Sequence, residues 1–183
     1  MATCPYRTLM RYKRWATNDL NAVIAANVDR LGESDRLLIR RLLDHIQTVD
    51  EIFSHVLEGR EPVHAAPRSA ELPEFETLAR NARTTAAWYA DYADALTPER
   101  RDEAIDFRFS SGAPGRMTRG EMLLHVAMHG TYHRGNVGVL LHKNGVEPPQ
   151  DRITDFLESA HAGAVAPVSK PPRPCTHGIA PAR

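Results

Sequence analysis

Three histidines, His125, His129 and His133, recur every fourth residue inside the apolar stretch EMLLHVAMHGTYHRGNVGVLL, Glu121 to Leu141. Residues four apart stand one above another on a helix, so the spacing predicts a column of imidazoles along one face. Imidazole is the commonest protein metal ligand, and two at i and i+4 can grip one ion from a single helix. Each four-residue step turns the side chain by about 40°, so His125 and His133 diverge by about 80°. An adjacent pair can share one ion while the third ring points elsewhere. Spacing leaves His125/His129 and His129/His133 equally open. A further candidate, His45, lies among Leu42, Val49 and Ile52 in another apolar-periodic stretch. Taken alone, a histidine in such a setting is more often a hydrogen-bonded core residue than a ligand.

The neighbouring chemistry narrows what such a site could do. There is no HExxH, so the glutamate base of a zinc protease is missing from its expected place. No Glu-x-x-His pair of the ferritin-like helical kind accompanies the column, which argues against a dinuclear carboxylate centre. Neutral nitrogen donors without carboxylate or thiolate suit Zn, Ni, Fe or Cu better than Mg or Ca. Three histidines on one divalent ion leave an open position, the mark of catalytic or substrate-binding sites rather than purely structural ones. His55 and His142 fall near predicted helix ends, where a dipolar or cationic ring is favoured for local reasons. His64, His161 and His177 lie in loop or tail and are given no role.

Four amphipathic stretches are available to position these rings. From about Tyr6 to Val28, Leu9, Met10, Trp15, Leu20, Val23 and Ile24 recur at helical spacing. LGES then breaks the pattern, with Gly32 as stop signal and Ser34 as the expected N-cap of a second helix that carries His45 and ends at Gly59. Arg60 to Leu72 reads as a loop. A third helix opens near Pro73 and stops before Pro98. Ile105, Phe107 and Phe109 alternate with Asp106 and Arg108, a strand signal, and SSGAPG supplies turn chemistry after it. Thr118 and Glu121 form a capping box at the start of the fourth helix, which carries the histidine column to about Lys143 and stops at Asn144-Gly145 before Pro148 and Pro149. ITDFLES reads as a last short helical or extended segment. The expected architecture is all-α, a four-helix bundle over residues 1–158 with a short β element between the third and fourth helices. Loop lengths suit a mostly antiparallel arrangement with room for one longer crossover. Residues 159–183, rich in Ala and Pro, are expected to form a disordered tail.

At 183 residues with a formal net charge of zero, the chain can bury a core unaided and lacks the basic excess of a nucleic-acid binder. Cys4 and Cys175 sit at opposite ends with no CxxC, so neither a disulfide framework nor a zinc ribbon is indicated. No apolar run approaches the ~20 residues of a membrane span, and MATCPYRTLMRYKRW lacks the apolar core of a signal peptide. The expected setting is the cytoplasm, with neither a membrane nor a nucleic acid as partner.

HVAMHGTYHRGNVGVLLHKNGVEPP resembles the signature helix of the DinB/YfiT-like family, in which a histidine precedes HGTYHRGQ, an apolar run and a Gly-x-x-Pro-Pro exit. YKRWATNDL and LLDHIQTVDEIF resemble the family's first- and second-helix motifs, so the likeness spans roughly residues 6 to 157. Lys13 stands where Asn is common, and Asn136 where Gln is usual. The resemblance implies a four-helix bundle with a divalent metal, Zn or Ni foremost and Fe next, on one histidine of helix two and two of helix four. Carried onto this sequence, the ligands are His45, His129 and His133, and His125 becomes a neighbouring or pocket group.

Many proteins of this family are known only by a DNA-damage-inducible name, which describes expression rather than chemistry. Better-understood relatives are metal-dependent transferases or isomerases that use small thiols such as bacillithiol or mycothiol. The enzyme reading is therefore a metal that activates a low-molecular-weight thiol for attack on an electrophile. Trp15 and Asn18 would then line the pocket, Tyr132 would flank His133, and Arg134 would hold an anionic thiol. A metal-dependent hydrolase would use the same ligands with water. The rival reading is a non-catalytic metal-binding protein in which the ion stitches two helices together. Homodimerisation through exposed apolar helix faces is a further expectation.

Overall fold

In the computed structural model, which describes residues 4–61 and 63–162, the apolar stripes of four long helices face one another. These are α1 (Pro5–Asn27), α2 (Glu33–Glu58), α3 (Phe75–Ala95) and α5 (Arg119–Lys143). A 3₁₀ turn (Val28–Arg30) follows α1, a one-turn helix α4 (Pro98–Arg101) follows α3, and α6 (Ile153–Ala162) closes the described chain. Strands β1 (Ala104–Arg108) and β2 (Pro114–Thr118) pair antiparallel between α4 and α5, with Ile105 opposite Met117 and Phe107 opposite Gly115. The all-α bundle with a small β insertion is the architecture the periodicity predicts. No described helix is long and apolar enough to cross a membrane.

Both α1 and α2 pack against α3 and α5, so α1 and α2 lie diagonally across the bundle. Side-chain contacts give the directions. Arg11 of α1 reaches Asp94 near the end of α3, so these two helices are antiparallel. Arg40 and Tyr89 show α2 and α3 running the same way: Arg40 bonds the Pro73 carbonyl just before α3, and Tyr89 further along α3 donates to the Asp50 carbonyl further along α2. Lys143 at the end of α5 meets Asp35 at the start of α2, so α5 runs opposite to α2. The order is up, down, down, up, and segment 59–74 is the crossover that returns the chain along α2. The crossover is pinned there by Ser69 to Asp44, His64 to Glu51 and the Glu61 carbonyl to His55.

Local signals explain most boundaries. The Thr118 hydroxyl accepts from the Glu121 amide at 3.1 Å while Glu121 accepts from the Thr118 amide at 2.7 Å, the reciprocal capping box. Elsewhere tertiary contacts override them. Gly32, not Ser34, caps α2, because the Asn144 side chain at the end of α5 accepts the Gly32 amide at 2.9 Å. Helix α3 starts at Phe75, two residues after Pro73, whose carbonyl is taken by Arg40. Strand β2, with Pro, Gly and Arg, carries no strand signal of its own. It holds because Gly115 lets Phe107 and Phe109 close over the backbone; a Cβ there would lie 2.7 Å from the Phe107 ring. Helix α6 runs to Ala162, past the boundary expected after residue 158, and residues 163–183 of the expected tail lie outside the described residues.

The interior falls into two apolar clusters. One, at the hairpin end, includes Met10, Phe53, Leu57, Tyr89, Met122 and Val126; the other includes Leu20, Ile24, Ile39, Leu78, Val137 and Leu141. Between them lies a belt of buried polar groups, Lys13, Asn21, Gln47, Asp50 and Arg134.

Candidate metal centre

Antiparallel packing of α2 on α5 brings His45 against His129 and His133 at the level of this belt. Each ring offers one nitrogen, and the three nitrogens lie within 4.8 Å of one another. Among the described residues it is the one cluster of histidine, cysteine or carboxylate groups with that property. The rings meet edge to face, with centroids 4.8 Å apart for His45 and His129, 4.7 Å for His45 and His133, and 4.6 Å for His129 and His133. Nε2 of His129 and Nε2 of His45 are separated by 3.0 Å.

The crossover settles how His45 is presented. Its Nδ1 lies 2.8 Å from the Pro67 carbonyl oxygen, an acceptor, so Nδ1 carries the proton and Nε2 turns a lone pair into the cluster. Burial, then the neighbouring His45, His133 and His125 rings and Lys13, push the His129 imidazole down to about 3. Burial also lowers His133 and His125. These three rings are therefore neutral at pH 7, each with one ring nitrogen that carries a lone pair in place of a proton. Nδ1 of His129 and Nδ1 of His133 are buried without a hydrogen-bond partner. The two Nε2 atoms at 3.0 Å can share the single N–H proton of neutral His129 as a hydrogen bond, and the same spacing matches the roughly 3 Å separation of ligands that each stand about 2.0–2.1 Å from one ion. The residues fit a divalent transition metal.

The other candidates separate. His125 stacks on His129 at 5.6 Å and meets the Phe53 ring at a tilt at 4.7 Å, next to the cluster but outside the group of three. Tyr132, 69% exposed, places its ring 4.9 Å from His133 at the rim. Trp15 packs on Tyr12 and on Phe156 of α6, while the exposed Asn18 lines a groove with Phe75 and Arg80 of α3. Trp15 thus meets α6, while Asn18 meets α3. Arg134 is buried and gives Nε to Asp151 at 2.7 Å and Nη2 to Thr131 at 3.1 Å. It fastens the chain after α5.

Two features escaped sequence reasoning. Pro67 acts through a backbone carbonyl, which leaves no side-chain signature. Lys13 pairs with Asp50 at 2.6 Å inside the bundle. Its signal was present, since Lys13 continues the stripe of Met10 and Leu20 at helical spacing. Burial pushes Lys13 down and Asp50 up, and each partner's charge opposes the shift. Gly130 answers to the same belt: a Cβ there would stand 3.1 Å from Arg134 Nη1 and 3.2 Å from Lys13 Nζ.

Fold and site together define a helical-bundle protein with a three-histidine group that could hold a metal. The DinB family model matches residues 1–170, and the chain belongs to the DinB family. Comparison with curated proteins and with solved structures gives no match.

Proposed function

We propose that this DinB-family chain binds one divalent transition metal, Zn or Ni foremost and Fe next, through His45, His129 and His133, and uses it to activate a low-molecular-weight thiol. The observation that carries the reading is the pair of Nε2 atoms 3.0 Å apart, with His45 oriented from behind by the Pro67 carbonyl. A metal held by three neutral imidazoles supplies Lewis acidity at an open position and lowers the pKa of a thiol or water there. The chain contributes the rest. Pro67 fixes the His45 tautomer; His125, stacked on His129 and packed against Phe53, forms a wall on the hairpin side of His129; Tyr132 stands at the solvent rim beside His133.

The test begins with elemental mass spectrometry on protein purified without affinity tag or chelator. About one equivalent of Zn, Ni or Fe is expected, and the His129→Ala variant should lose it. Cobalt-substituted protein is then titrated with small thiols, bacillithiol and mycothiol among them. A change in the visible ligand-field spectrum supports thiol activation. Metal binding with no spectral response to any thiol would favour a non-catalytic metal-binding protein, and absence of metal uptake would overturn the site.

A further inference from the structure

Six buried side-chain atoms among the described residues have no hydrogen-bond partner. Two are Nδ1 of His129 and Nδ1 of His133, which belong to the metal centre. The other four are Nδ2 of Asn21, Oε1 of Gln47, Oδ1 of Asp50 and Nη1 of Arg134. Their residues come from α1, α2 and α5, and all four line one small cavity of about 20 Å³, closed on the α3 side by Leu78 and Ala82. Leaving a buried donor or acceptor unmatched costs roughly 1–3 kcal/mol, so four around one cavity call for an occupant.

The donor inventory defines that occupant. Arg134 Nη1 can only donate. The Gln47 amide is fixed, because its nitrogen donates to Glu51 at 2.8 Å and to Thr85 at 2.9 Å, so its oxygen must face the cavity as an acceptor. Asp50 Oδ1 accepts, since Oδ2 of the same carboxylate holds Lys13. Asn21 Nδ2 is the second donor. A cation would meet the Arg134 and Asn21 donors; an anion would meet the Asp50 and Gln47 oxygens. Only a molecule with two donors and two acceptors matches all four, and a cavity of 20 Å³ exceeds the roughly 10–15 Å³ that a single water needs.

We infer that the centre of the bundle is a binding site for one ordered water, held by Asn21, Gln47, Asp50 and Arg134. It joins three helices beneath the Gly130 turn that lies between His129 and His133. The water completes a neutral polar assembly whose charges are already paired, Lys13 with Asp50 and Arg134 with Asp151.

Oxygen-17 magnetic relaxation dispersion on the full chain counts long-lived internal waters. The unaltered protein should show a dispersion whose amplitude falls by one water in Asn21→Leu, which removes a donor and fills the space. An amplitude that Asn21→Leu leaves unchanged would overturn the site. Because that variant can also fail to fold, a high-resolution crystal structure of the unaltered protein grown with bromide is the companion experiment. A peak without anomalous signal within hydrogen-bond distance of the four atoms is expected. An empty cavity or an anomalous peak would overturn the site.

Discussion

The bundle carries two polar clusters at the same level, and they have opposite characters. In the interior belt every charge has its counter-charge, as Lys13 has Asp50 and Arg134 has Asp151. In the seam between α2 and α5, three half-buried imidazoles crowd together with no carboxylate among them, and two of their nitrogens confront each other at 3.0 Å. A neutral, paired cluster holds helices in place and asks for nothing more than a water. A cluster of neutral imidazoles on which an additional proton is disfavoured asks for a cation of another kind. Burial alone does not mark a site. The sign and pairing of what is buried does.

Breaking the belt should produce the largest effect. Asp50→Ala leaves the Lys13 ammonium buried without its partner, and loss of one member of such a pair costs about 3–5 kcal/mol. Urea unfolding should show a correspondingly lower midpoint. Protein that does fold should still take up metal, because Asp50 is not a ligand; loss of metal uptake from folded Asp50→Ala would erase the distinction between the two clusters.

The seam should behave in the reverse manner. His129→Ala should leave metal-free stability close to that of the parent but remove the stabilisation by added Zn. For the parent, zinc at a hundred times its dissociation constant should add about 2.7 kcal/mol. Differential scanning calorimetry with and without Zn measures both. A variant that keeps the zinc-induced shift would remove His129 from the site.

Acid sharpens the same contrast. The His129 imidazole is held at about 3 in the fold, below the ordinary 6.5. Between these values the unfolded chain binds more protons than the native one, so metal-free stability is highest above about 6.5 and falls as the pH drops toward about 3. Denaturant midpoints at pH 7, 6 and 5 should fall less steeply for His129→Ala than for the parent. Equal slopes would mean that the seam does not resist protonation.

The smallest effect is expected away from both clusters. Thr118→Ala removes the capping box of α5 and should cost about 1 kcal/mol in urea. Metal stoichiometry should stay at the parent value, since one turn of fraying at Thr118 lies well before His129.

Helix content was legible because it depends on local period. The stripe of Leu20 and Ile24, the capping box of Thr118 and Glu121, and the stop at Asn144-Gly145 are written within a few residues of each other. The strand PGRMT was not legible, since Gly115 earns its place only when Phe107 and Phe109 lie across it. Arg134 shows the same gap at the site. Its position beside His133 in sequence suggested a shared pocket, yet one residue turns a helix by about 100° and sends Arg134 inward to Asp151.

By itself the sequence determined that this chain makes four amphipathic helices and that one of them bears imidazoles at metal-binding spacing, because both follow from side-chain identity at fixed helical intervals. Its motifs also carried the family likeness that named His45 beside His129 and His133. Tertiary structure decided which rings meet, since His45 reaches His129 and His133 only through the antiparallel packing of α2 on α5. It also decided that a backbone carbonyl, Pro67, would orient His45, and that Lys13 would lie buried against Asp50. Those outcomes join residues far apart in the chain, and no local interval encodes them.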